Sequence, residues 1–167
     1  MKQLIFILSM FIMVSGAVHA QTKINNAPYT KDSSLLDFKL ILPDSSVFTK
    51  ASLRKNKPVI IVYYNPDCSH CQATAAAFQK KMSNLSKDVQ MLWVTYLAPF
   101  DEIISFEKQY GFDKYKNIHF GKDADYIIPS FFQIEYTPFV AAYNKDWQLV
   151  KTWQSHVDID ELMNLYK

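Results

Sequence analysis

Apolar residues follow two distinct rhythms along this chain, and their order predicts an α/β architecture. Leu36, Phe38, Leu40 and Leu42 alternate with other residues, and Pro43-Asp44-Ser45-Ser46 turns the chain into Val47-Phe48. Period-two alternation around such a turn predicts a β-hairpin. Val59-Ile60-Ile61-Val62-Tyr63-Tyr64 then forms an unbroken β-branched and aromatic run, the pattern of a strand buried on both faces. Asn65-Pro66-Asp67 stops it. Beyond that point Cys71, Ala75, Phe78, Met82 and Leu85 recur at spacings of three and four, which puts them on one face of a helix. Asp67 is expected at its N-cap.

The alternation of element types continues. Residues 89–97 read as a second apolar strand, and 100–110 as a helix closed by Gly111. Residues 118–120 read as a short strand, and 126–134 as a helix interrupted by Pro129. Two strands, 137–143 and 148–153, are joined by the turn Asn144-Lys145-Asp146. Asp158 with Glu161 three residues on is a capping-box variant, opening a last helix whose apolar residues are Leu162, Met163, Leu165 and Tyr166. Helices alternating with buried strands, then closing on an antiparallel hairpin, predict a central mixed β-sheet flanked by helices. No internal repeat or Gly/Ser linker divides the chain.

The first twenty residues obey neither rhythm. Lys2 precedes a nearly unbroken apolar run from Leu4 to Val14, and Ser15-Gly16-Ala17-Val18-His19-Ala20 supplies small residues for a cut. This is the layout of a secretory signal peptide, so residues 1–20 are expected to be removed and the protein exported, most simply to a periplasm. An uncleaved anchor is the alternative, but the run is shorter than the roughly 20 apolar residues of a bilayer span. Residues 21–34 form a polar leader, and 35–167 the folded domain, with no later stretch long enough to span a membrane.

Composition narrows the function. The 167 residues are 49% hydrophobic and 20% charged, which excludes a disordered chain. A net charge of +2 gives no field strong enough to collect phosphates, so nucleic acid is not the expected partner. The chain has two cysteines only, Cys68 and Cys71, within Cys68-Ser69-His70-Cys71. A disulfide across so short a loop constrains little of the unfolded chain, so stabilisation explains the pair poorly.

Chemistry explains it better. The pair sits where a buried strand passes into a helix N-terminus, whose amides and dipole favour a thiolate at Cys68. An accessible thiolate with a resolving thiol one turn further in is what disulfide exchange requires. His70, when protonated, favours that thiolate, whereas the Asp67 carboxylate opposes it, so both are candidate redox-tuning residues. A metal site and an inert disulfide stay open as other readings, although zinc wants four ligands and no further cysteine exists.

With these residues the chain resembles the thioredoxin-like superfamily, in particular the exported TlpA/ResA-like thiol-disulfide oxidoreductases. The resemblance spans residues 35–167 and rests on four features. These are the N-terminal hairpin, the run 57–71 ending in the cysteine pair, Tyr136-Thr137-Pro138-Phe139, and the hairpin around Asn144-Lys145-Asp146. It implies a thioredoxin fold with an N-terminal β-hairpin extension, with Cys68 as attacking and Cys71 as resolving cysteine. It also implies that Pro138 is a cis-proline, with the Thr137 backbone beside the sulfurs as a substrate-binding edge. Protein thiols and disulfides are the implied partners, with an unidentified upstream redox partner and no cofactor.

The sequence departs from the family in places. Asp67 replaces a common Trp, and Val62 falls near the place of a buried acid. Glu135 is expected to be an exposed strand-edge carboxylate, with a substitute for that acid as the alternative. The segment 112–136 matches least well and is where partner specificity is expected. Frequent aromatics are expected in the core, and an exposed cluster of them near Cys68 would be a docking patch. A non-catalytic binding module of the same fold and a copper or other metal chaperone are the alternative functions.

Overall fold

A computed structural model describes residues 27–167; the segment 1–20 and residues 21–26 of the leader lie outside the described residues. The elements in chain order are β1 Lys39–Ile41, β2 Val47–Thr49, β3 Val59–Tyr63, α1 Ser69–Lys81, β4 Gln90–Thr95 and α2 Phe100–Gln109. They continue with β5 Ile118–Lys122, α3 Ile127–Phe132, β6 Phe139–Tyr143, β7 Leu149–Gln154 and α4 Ile159–Asn164. The strands form one sheet in the order β2-β1-β5-β4-β3-β6-β7.

Strand β3 lies inside the sheet because it can be buried on both faces, and all five of its residues are buried. It runs parallel to β4 (Val62 opposite Trp93) and antiparallel to β6 (Val62 opposite Val140). Parallel neighbours need a crossover, and α1 and α2 supply it from β3 to β4 and from β4 to β5. Both helices land on the same face. There Cys71, Ala75 and Phe78 of α1, Ile103 and Phe106 of α2, and Leu162 and Met163 of α4 close over Ile60, Val62 and Trp93. The opposite face is covered by Ile128 and Phe132 of α3, together with Leu35, Leu36 and Phe38 ahead of β1. Each large apolar side chain so buried contributes about 1.5–3 kcal/mol relative to exposure. The result is the thioredoxin fold, a mixed sheet flanked by helices, with the β1–β2 hairpin added at one edge.

That hairpin joins the main sheet through a single opposed pair, Ile41 and Lys122. Gly121 makes the approach close: a Cβ there would stand 3.1 Å from Leu40 Cβ and 3.2 Å from the Ile41 carbonyl oxygen. At the end of α2, Gly111 adopts φ 66°, the left-handed conformation expected of a residue closing a helix.

Three local expectations are corrected. Pro129 does not interrupt a helix over 126–134. Helix α3 is shorter and carries Pro129 in its first turn, where a missing N–H breaks no intrahelical bond. Strand β6 begins at Phe139, not at residue 137, since Pro138 has no N–H to donate to a ladder. The capping box of α4 is half formed: Asp158 accepts from the Glu161 amide at 2.9 Å. The Glu161 carboxylate turns instead to Lys151 and to Trp153 Nε1, tying α4 to β7.

Among the described residues no helix is long and apolar enough to cross a membrane.

Candidate functional site

The chain leaves β3 through a tight turn that delivers Cys68 to the mouth of α1. Asn65 Oδ1 accepts from the Asp67 amide at 3.0 Å, and the Asn65 carbonyl accepts from the Cys68 amide at 3.1 Å. Cys68 itself is the N-cap: its sulfur accepts from the Cys71 amide at 3.4 Å. The cap expected at Asp67 is thereby corrected. One residue of extra turn places the carboxylate outside the helix, exposed, and gives its role to sulfur. Cys68 is half-buried, while Cys71, one turn further in, is fully buried beside Ala75 and Phe78.

The two thiols consequently ionise very differently. At Cys68 burial opposes ionisation, yet hydrogen bonds from the Cys71 thiol and amide, with smaller contributions at Thr137 and the His70 amide, bring its pKa below that of a free thiol. At Cys71 burial dominates and pushes the pKa up to about 12, with the neighbouring Cys68 adding to the rise. His70 thus acts on Cys68 through its backbone amide, and its imidazole is exposed.

The Thr137-Pro138 peptide is cis, and the Thr137 carbonyl accepts from Cys68 Sγ at 3.7 Å. Pro138 is buried, and its carbonyl accepts from the Ser155 amide at 2.9 Å, which ties the loop to the end of β7. Val62 is fully buried on the α1 side of the sheet. Glu135 is exposed in the loop before β6, where its amide donates to Gln154 Oε1 at 3.0 Å.

Sequence reasoning missed two groups near this end of the sheet. The first is Asp123, which is fully buried and accepts from the Ile127 amide at 3.1 Å and the Ile128 amide at 2.7 Å. It caps α3 from four residues upstream. Burial raises its pKa, and those two amides partly offset the rise. The second is an exposed aromatic pair, Tyr96 and Tyr126, whose ring centroids lie 4.9 Å apart in an edge contact. They line a cleft of about 700 Å³ that also takes in Asp67 and Thr137. Nothing in the periodicity marks either group: the cap reaches α3 from outside the helix, and the tyrosines meet from segments thirty residues apart.

Among the described residues no three His, Cys, Asp or Glu side chains converge as a metal site would require. The geometry offers instead a reachable thiol of lowered pKa, a shielded partner one helical turn away, and the half-buried Thr137 backbone beside them.

Comparison with known proteins agrees with the fold. The sequence model of the Thioredoxin family matches residues 40–128. A secreted Mycobacterium tuberculosis disulfide oxidoreductase homologous to E. coli DsbE is similar in structure, with a TM-score of 0.63 at 22% identity over 76% of this chain and 92% of that one. The exposed lipoprotein thioredoxin Etrx1 of Streptococcus pneumoniae gives 0.59 at 22% identity, covering 78% and 98% of the two chains. A peroxiredoxin-like protein from Aquifex aeolicus gives 0.63 at 14% identity, covering 80% and 84%. At these identities the likeness is one of fold. No curated protein sequence matches the chain.

Proposed function

The chain belongs to the thioredoxin family, and from that premise we propose that it is an exported thiol-disulfide oxidoreductase acting on protein partners. One observation carries the reading: the two thiols of a Cys-x-x-Cys pair are unequal, the outer one reachable with a lowered pKa, the inner one buried with a raised pKa. Exchange needs this inequality, because the nucleophile must be ionised and accessible while its mate must stay protonated until wanted.

The reaction proceeds in two displacements. Cys68 thiolate attacks one sulfur of a partner disulfide; a Cys68–partner bond forms and the partner's second sulfur leaves as a thiolate that takes up a proton. Cys71 then gives up its proton and attacks Cys68 Sγ. This releases the partner's first sulfur, which is protonated in turn. Two electrons and two protons have passed to the partner, and Cys68 and Cys71 are joined as a disulfide. Run in reverse, the same steps oxidise a partner dithiol, and an upstream redox partner resets the pair in either direction.

The backbone at Thr137 and Pro138 serves as the edge along which an extended partner strand lies during attack. The His70 amide favours ionisation of the nucleophile and the adjacent Asp67 carboxylate opposes it. Residues 1–20 act as a cleaved export signal, which places the reaction in a periplasm; the apolar run between Lys2 and Ala20 supports this.

Insulin reduction by purified protein, with Cys68→Ser and Cys71→Ser variants beside it, tests the reading. Loss of turnover in the first variant, and trapped mixed disulfides in the second, are expected. Background turnover by the parent protein would favour a binding module instead.

A further inference from the structure

The cleft beside Thr137 has a chemical character of its own. Its lining contains two carboxylates, Asp67 and Glu102, and no Lys, Arg or His. Its walls are aromatic and aliphatic: Tyr96 and Tyr126 in edge contact on one side, with Leu97, which is 80% exposed. Lys122, on the neighbouring strand, is held over the Phe100 ring at 5.1 Å. Tyr126 takes a left-handed backbone, φ 56°, which a bulky aromatic adopts at a cost and keeps only where its surroundings impose it. Its amide donates to the Asp123 carbonyl at 3.2 Å, and its carbonyl accepts from Ser130 Oγ at 2.7 Å, so the strained residue is held from both sides.

We propose that this cleft is a side-chain subsite that selects partner proteins carrying an arginine next to the reacting cystine. The proposal rests on the exchange chemistry put forward above. Thr137 belongs both to the cleft lining and to the contact with Cys68 Sγ. A partner strand laid along Thr137 with its cystine at Cys68 therefore directs an adjacent side chain into the cleft. A guanidinium suits that space in three ways: it pairs with Asp67 and Glu102, it stacks on tyrosine faces, and its aliphatic stem covers apolar wall. A carboxylate there would meet like charge, and a plain aliphatic side chain would leave both carboxylates unpaired.

The test uses three cystine peptides identical except for Arg, Leu or Glu beside the reacting cysteine. Serine-for-cysteine versions serve for binding by calorimetry, and neutral bis(2-hydroxyethyl) disulfide serves as a reference for turnover. The Arg peptide is expected to bind and react about tenfold better than the Glu peptide, with Leu between, as two partly solvated ion pairs at a rim would give. That ratio should shrink toward one at 0.5 M salt and fall in Glu102→Gln, and Glu102→Lys should erase or invert it. Equal binding of the Arg and Leu peptides, or preference for Glu, overturns the proposal even where the reference disulfide turns over normally. Selective binding of the Arg peptide without turnover of the reference upholds the cleft and sinks the exchange reading instead.

Discussion

Cys68 Sγ lies 3.7 Å from the carbonyl oxygen of Thr137, a residue 69 positions further along the chain. The sheet register brings them together. Tyr63, the last residue of β3, stands opposite Phe139, the first of the antiparallel β6. The turn leaving β3 and the loop entering β6 therefore emerge at the same end of the sheet, one bearing the thiol and the other a backbone edge.

The lowered pKa of Cys68 gives the first prediction. Iodoacetamide alkylation of the reduced protein should follow a titration centred below that of an unperturbed thiol such as N-acetylcysteine amide measured alongside. Cys71 should stay unmodified across the same range, since it is buried and its pKa is raised. Mass spectrometry of the alkylated sites decides. Equal labelling of both cysteines at neutral pH would contradict the assignment of attacking and resolving roles.

Cys71 also carries a stability signature. Its folded pKa is raised to about 12, so the folded state holds a proton that the unfolded chain releases near the ordinary thiol pKa. The stability it contributes is fully present below that value and is lost as pH rises toward about 12. The lowered pKa of Cys68 has the opposite sign and adds stability as pH rises through the same lower region. Several buried tyrosines act like Cys71, but only from their own higher range upward. Urea unfolding of the reduced parent should therefore fall relative to Cys71→Ala between pH about 9 and 10, and run parallel to it at pH 7.

Asp123 should matter more for fold than its place in a loop suggests. Asp123→Ala strips the acceptor from the amides of Ile127 and Ile128 in a buried setting, at an expected cost of about 1–3 kcal/mol by denaturant unfolding. Asp123→Asn keeps one carbonyl acceptor and avoids burying a charge, so it should lose less. A null effect of the alanine variant would mean that α3 is held by Ile128 and Phe132 alone.

The edge hairpin hangs on a close approach. In Gly121→Ala the new methyl would meet Leu40 Cβ and Leu42 Cδ2 at 3.1 Å and the Ile41 carbonyl oxygen at 3.2 Å, so β1 must give by a few tenths of an ångström where backbone and Cβ, not a side-chain end, are in the way. A loss of about 1–3 kcal/mol is expected, with faster amide exchange in residues 39–49 than in the central strands.

Tyr64 presents the reverse case. Its ring packs against Trp93, Phe106 and Phe120, while its buried hydroxyl has no hydrogen-bond partner among the described residues. Tyr64→Phe keeps the ring contacts and removes the unpaired group, so thermal unfolding should show unchanged or higher stability, by up to about 1 kcal/mol. A clear loss would reveal a partner for that hydroxyl.

Local pattern by itself determined the elements and their order. The all-apolar run at β3, the three-and-four spacing along α1, Gly111 after α2 and the two hairpin turns are short-range signals. Each depends on which way neighbouring side chains face, so each was readable without knowledge of the rest of the chain. The spacing of Cys68 and Cys71 was equally plain, as was the family to which they point. The family resemblance further placed the Thr137 backbone beside them, and the structure decided the rest of their surroundings: the thiol as its own helix cap, the buried Asp123 and the tyrosine-walled acidic cleft. The cleft joins segments tens of residues apart through strand register and loop geometry, and no periodicity of the chain encodes a distance between residues that meet only when the sheet is assembled.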